Sequence, residues 1–164
     1  DDAIGEAGAE VVRTRVGDVY VAERAREPGV AFGGEPSGAW IFPEETLCPD
    51  GPLAAVKLAT LAAIEPLADR VAAIEQYPIR RDSVRSDAKT ATMEAVTAAV
   101  LERYETVSTL DGVRVETDDG WFLIRPSGTQ PLVRLTAEAR DPGTADELLA
   151  AARSLVDDAM DAPR

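Results

Sequence analysis

The sequence predicts an α/β part followed by an α+β part, the second a small antiparallel sheet covered by two helices. Three observations lead there. Between 111 and 139, short apolar runs are broken by Asp118-Asp119-Gly120 and by Ser127-Gly128. Stretches with helical spacing of apolar residues flank those runs, at 87–104 and from Thr144 to Ala159. In the first half, short strand-like runs meet a glycine-rich loop and then give way to two helical stretches. A period of two argues for strands and a period of 3.6 for helices, so both parts combine the two.

Taken in order, Glu10-Val11-Val12-Arg13 predicts a short strand, and Gly17-Asp18 turns the chain into Val19-Tyr20-Val21-Ala22. Charged residues at 22–27 predict a helical turn ended by Pro28-Gly29. Val30-Ala31-Phe32 reads as a buried strand running into Gly33-Gly34-Glu35-Pro36-Ser37-Gly38, with Trp40-Ile41-Phe42 as a further strand. Asp50-Gly51-Pro52 starts a helix, since proline suits a first turn, and Leu53, Val56, Thr60, Leu61 and Ile64 follow as its apolar stripe. Leu67, Val71 and Ile74 predict a second helix. Gln76-Tyr77-Pro78 marks the boundary between two domains, 1–75 and 76–164.

Beyond it, Ile79 to Val84 predicts a strand, and 87–104 a helix with Met93, Val96 and Val100 on one face. Val113 to Thr117 is a strand, and Asp118-Asp119-Gly120 a hairpin signal. Trp121-Phe122-Leu123-Ile124 and Leu132 to Ala139 are strands on either side of Arg125-Pro126-Ser127-Gly128-Thr129. Thr144-Ala145-Asp146-Glu147 fits a capping box, opening a last helix with a core stripe of Leu148, Leu149, Ala152, Leu155, Val156 and Ala159.

Composition narrows the function. The 164 residues carry 30 acidic and 17 basic side chains, a net charge of −13. Only Lys57 and Lys89 among the basic residues are lysines. Such a surface suits a salt-rich cytoplasm, where repulsion is screened over about 3 Å at 1 M salt; the plainer alternative is an ordinary acidic domain. Nucleic acid and anionic membranes are poor partners for it. The single Cys48 excludes an internal disulfide framework. The chain has no histidine, which removes Ser/His/Asp and Cys/His chemistry.

The turn at Arg125 stands out against that charge. A guanidinium offers a planar two-pronged donor, Ser127 and Thr129 add hydroxyls, and Gly128 allows main-chain N–H groups to converge on one point. Together they suit a phosphate. The alternative is a hairpin turn with a surface arginine.

Two stretches resemble the α-D-phosphohexomutases. Asp111-Gly112-Val113-Arg114, Arg125-Pro126-Ser127-Gly128-Thr129-Gln130-Pro131 and Arg134 resemble the fourth domain of that family. Arg13-Thr14-Arg15-Val16-Gly17-Asp18 and Gly33-Gly34-Glu35-Pro36-Ser37-Gly38 resemble the later part of its third. The resemblance implies a partial third domain with a mixed α/β sheet over 1–75 and a whole fourth domain over 76–164. It implies that Glu35 and Ser37 read sugar hydroxyls, and that Arg125, Ser127, Gly128 and Thr129 grip the phosphate that is not reacting. It places Arg15 near the ligand and Arg134 as a brace for the loop.

Members of the family interconvert hexose or hexosamine 1- and 6-phosphates through a phosphoserine and a bisphosphorylated sugar. They use Mg²⁺ held by an aspartate-rich loop in another domain. Their phosphoserine loop contains a histidine, so it lies outside this chain; Asp50-Gly51, Asp111-Gly112 and Asp119-Gly120 read as turns and not as the metal loop. The expectation is a C-terminal piece of a longer cytoplasmic mutase, inactive without the N-terminal domains. A stand-alone phosphosugar-binding or regulatory module is the alternative, and a bare acidic interaction domain a third. The sequence departs from the family at Ala39, where histidine is frequent, and at Gln130, where glutamate is. The run Arg13 to Val21 leans toward the glucosamine-type enzymes.

Overall fold

Alternation of side chains across a sheet decides the second half of the chain. In the computed structural model, which describes residues 1–161, the chain divides into two compact units, Asp1–Glu75 and Gln76–Arg164. The second unit is built from β3 (Ile79–Arg85), α5 (Lys89–Arg103), β4 (Val107–Ser108), β5 (Val113–Glu116), β6 (Gly120–Pro126), β7 (Leu132–Ala139) and α6 (Pro142–Asp161). Its five strands are all antiparallel, in the order β3-β7-β6-β5-β4.

Register places Phe122 between Val115 and Ala137, and Ile124 between Val113 and Leu135. These six side chains and Val133 share one face and are at most 1% exposed. Met93, Val96 and Val100 of α5 and Ala152, Leu155 and Val156 of α6 close over them. Tyr104 meets Phe122 edge-on, with ring centroids 5.5 Å apart. Each fully buried aliphatic or aromatic side chain contributes about 1.5–3 kcal/mol, so this face dominates the unit's stability. Ion pairs from Arg80 to Asp146 (2.5 Å) and from Arg153 to Asp82 (2.8 Å) join β3 to α6; they are exposed and contribute little.

The last helix starts earlier than the capping box at Thr144 predicts. Pro142 takes the first helical position, and the Asp141 carboxylate accepts from the Thr144 N–H at 3.0 Å and from its hydroxyl at 2.6 Å. Asp141 is therefore the cap. Those two bonds, the hydroxyl first, hold its carboxyl below the ordinary aspartate value of 3.8. A depressed carboxyl stabilises the fold above its unfolded pKa, and that stability is lost as pH falls through the folded value. The melting-temperature gap between wild type and Asp141→Ala is expected to be widest near neutrality and to close as pH is lowered below about 4. A gap of constant size down to pH 3 in thermal melts contradicts the assignment.

The first unit comprises α1 (Asp2–Glu6), α2 (Asp18–Ala25), β1 (Gly33–Gly34), β2 (Trp40–Ile41), α3 (Gly51–Ile64) and α4 (Leu67–Ala72). Its one ladder pairs β1 with β2 antiparallel. Val21, Ala25 and Ile41 form its small core. Three local expectations are corrected. Glu10–Arg13 is not a strand, because no described segment pairs with it, and Val11 and Val12 are exposed. Val19–Ala22 belongs to α2, where Val21 and Ala25, four residues apart, land on one helix face. Val30–Phe32 is not a buried strand; Phe32 is exposed and its ring tilts against Phe42 at 5.4 Å.

Helix α3 starts as expected, with Asp50 accepting from the Leu53 N–H at 2.8 Å and proline in the first turn. Its apolar stripe, however, is not buried. Val56 is 64% exposed and Ile64 74%, and only Ala54 within α3 is buried. Leu67, Val71 and Ile74 in and after α4 are also exposed. No helix among the described residues is long and apolar enough to cross a membrane.

Candidate functional site

The covered face of the sheet leaves the opposite face free for polar side chains. Arg125 near the end of β6 lies opposite Arg134 of β7, and Arg134 opposite Ser83 of β3. Arg125 and Pro126 are still strand, so the turn is shifted from the expected 125–129 to Ser127–Pro131. The Ser127 N–H closes it by donating to Leu132 O at 2.8 Å, and the Gln130 N–H donates to Ser127 Oγ at 3.3 Å. Ser127 is consequently buried at its base, while Gly128 and Thr129 are exposed at its tip.

The Gly128 and Thr129 N–H groups and the Thr129 hydroxyl have no partner among the described residues. Gly128 has no positive φ, and a Cβ built on it meets nothing within 4 Å. Its glycine is therefore not demanded by backbone conformation. It keeps the tip clear for whatever approaches those donors.

Arg125 is aimed by Asp111, which the sequence marks as a turn and as part of the stretch resembling the fourth domain but not as a partner of the arginine. Its Nη1 donates to Asp111 Oδ2 at 3.2 Å. Gly112, at φ +79°, lets that carboxylate come so close, because a Cβ there stands 2.3 Å from Ile124 O and 2.6 Å from Arg125 Cβ. Arg134 Nη2 donates to Gln130 Oε1 at 3.2 Å, and so braces the turn. A groove of about 500 Å³ beside the turn is lined by Arg81, Ser83, Arg125, Gln130, Arg134 and Thr136 among others. Asp82, the one acidic residue in that lining, is engaged by Arg153. The groove is locally cationic in a chain of net charge −13, so an anion is attracted here and repelled elsewhere.

In the first unit, the loop between β1 and β2 carries Glu35 and Ser37. The Glu35 N–H donates to Ala39 O and the Gly38 N–H to Glu35 O, both at 3.0 Å, with Gly38 at φ +93°. Glu35 Oε1 accepts from the Gly17 N–H at 2.8 Å. The two stretches of this unit singled out in the sequence are thus joined through one carboxylate. Ser37 is exposed, with no hydrogen-bond partner among the described residues. Arg15 is exposed, its guanidinium 5.9 Å from the Tyr20 ring centroid. The sequence does not reveal two roles: that of Asp111 on Arg125, and that of Lys89, whose ammonium donates to the Gln130 carbonyl at 3.0 Å and to that of Ser127. Their signals were faint: an Asp-Gly pair one strand away, and one of only two lysines.

No three acidic or thiol side chains among the described residues converge as metal ligands.

A five-stranded antiparallel sheet with two helices on one face, and an arginine-flanked turn joining two of its inner strands, make the second unit an α+β domain. Residues 1–77 match phosphoglucomutase/phosphomannomutase alpha/beta/alpha domain III, and residues 79–155 match the phosphoglucomutase/phosphomannomutase C-terminal domain. The chain belongs to this family, the α-D-phosphohexomutases. It is 49% identical over 152 residues to a probable phosphoglucosamine mutase of Methanopyrus kandleri, covering 90% of this chain and 34% of that protein. With the probable phosphoglucosamine mutase of Methanococcoides burtonii it shares 44% identity over 162 residues, 98% of this chain and 36% of that protein. A crystal structure of a phosphoglucomutase/phosphomannomutase family protein from Burkholderia thailandensis has the same fold, with a TM-score of 0.81 at 24% identity over 98% of this chain and 35% of that one. The chain spans about a third of the length of the curated relatives it matches.

Proposed function

We propose that this chain supplies sugar and phosphate recognition to a phosphohexomutase, of glucosamine type by its relatives, that interconverts 1- and 6-phosphates of a hexosamine or hexose. The observation that carries the reading is the Ser127–Pro131 turn, whose tip offers N–H groups without a partner among the described residues, beside a carboxylate-aimed arginine. In this role Arg125 donates to two phosphate oxygens, and Gly128 N–H, Thr129 N–H and the two hydroxyls take the remaining lone pairs. Glu35 accepts from sugar hydroxyls through the oxygen not used by Gly17, and Ser37 adds a hydroxyl contact. Arg15 adds positive charge near that loop.

The transferred phosphoryl group is handled elsewhere in the longer enzyme, by a phosphoserine with Mg²⁺. Ser37 has no hydrogen-bonded base among the described residues to activate it, and the chain contains no histidine that could serve. The chain by itself is therefore expected to bind and not to turn over.

Calorimetric titration with glucosamine 1-phosphate at high salt tests this. Saturable binding competed by inorganic phosphate, without conversion to the 6-phosphate, is the expected result. Absence of saturable binding overturns the recognition role; turnover by the 164 residues overturns the division of labour.

A further inference from the structure

The Ser127–Pro131 turn has no regular structure of its own, yet one neighbouring segment takes three of its carbonyls. The Ser86 N–H donates to Pro131 O at 3.0 Å, and the Lys89 ammonium donates to Gln130 O at 3.0 Å and to Ser127 O. Ser86 and Thr92, 3% and 4% exposed, share a hydroxyl–hydroxyl bond of 2.9 Å. Thr92 is further tied to Ala88 O, at the start of α5. Residues 86–92 therefore form a fixed platform beneath the turn.

Lys89 makes no ion pair among the described residues, although 30 of the 164 residues are acidic. A compact ammonium with three donors suits two diverging carbonyls, whereas the planar guanidinium is shaped for a carboxylate. Ser127 C=O and Gly128 N–H belong to one planar trans peptide, so they point in opposite directions. Whatever holds that carbonyl down onto the platform turns that N–H outward.

We propose that Lys89 is a positioning residue for the phosphate turn: by holding the Ser127 carbonyl it aims the Gly128 N–H at a phosphate monoester. Its bond to Gln130 O anchors the other arm of the turn, and its uncompensated charge lies beneath the anion. This rests on the reading of the turn as a phosphate site.

Amide NMR titration of the full 164-residue chain with inorganic phosphate tests both layers. In wild type, saturable shifts of the Gly128 and Thr129 amides are expected. In Lys89→Met, phosphate affinity is expected to fall tenfold or more, and the Gly128 shift at saturation to shrink far more than that of Thr129. A general loosening of the turn would lower both shifts alike, and that outcome overturns the proposal. Lys89→Gln keeps an N–H donor, one bond shorter and without the charge, and guards against misfolding of the Met variant; a threefold or greater loss is expected. Wild-type affinity in either folded variant overturns the positioning role. No saturable shift in wild type overturns the phosphate reading itself.

Discussion

Arg125→Ala in the full-length enzyme is expected to lower kcat/KM for the sugar phosphate by about 10- to 150-fold. A bidentate, charge-assisted contact to phosphate contributes roughly 1.5–3 kcal/mol, and each 1.4 kcal/mol is tenfold. The loss should be at the upper end, because the chain's net charge of −13 leaves little attraction for an anion beyond the local arginines. Arg125→Lys retains charge but only one point of contact, and should recover part of the loss. Steady-state kinetics on the three forms decides it: unchanged kcat and KM in the alanine variant would remove Arg125 from the binding role.

Gly112→Ala should damage both stability and the proposed phosphate binding, though it lies one strand away from the Ser127–Pro131 turn. A non-glycine residue forced to positive φ costs about 1–3 kcal/mol. Here the new Cβ also meets Ile124 O at 2.3 Å and Arg125 Cα at 2.8 Å. Both are main-chain atoms of β6, so no rotamer change relieves the collision. Either the start of β5 moves away from β6 or Arg125 is displaced from Asp111. Unfolding free energy is expected to fall by about 3 kcal/mol or more, the strain and the collision acting together, with weaker phosphate binding in the same variant. Chemical denaturation and a phosphate titration measure the two effects. A variant with wild-type stability contradicts the contact geometry.

The second half of the chain was the more legible. Its strands alternate with a period of two, and each buries a face against a neighbour in the same sequence window. Phe122, Ile124, Val133 and Leu135 fall where the pattern puts them. The first half was read less well because its local patterns conflict with their surroundings. Val19–Ala22 has strand composition, yet it is helical because Val21 and Ala25 share a partner in Ile41. Helix α3 has a readable start at Asp50 and Pro52, but most of its stripe is exposed.

Around the Ser127–Pro131 turn, donor chemistry in the sequence singles out Arg125, Ser127, Gly128 and Thr129. What supports them is not legible there, since Asp111 and Lys89 reach the turn across the sheet and from a helix. Contacts of that separation depend on tertiary register, which no short window contains. The turn's location also moved by two residues, because the pairing of β6 with β7 carries Arg125 and Pro126 into the strand.

The bond from the Gly17 N–H to Glu35 has an entropic consequence for recognition. A free glutamate surrenders about 1.5–2 kcal/mol of rotamer freedom when it is immobilised. With one oxygen already anchored to the main chain, Glu35 has given up that freedom during folding, before any hydroxyl arrives. Its other oxygen then presents a fixed direction, and in the proposed sugar-reading role it would separate sugars differing in the orientation of a single hydroxyl at no further ordering cost.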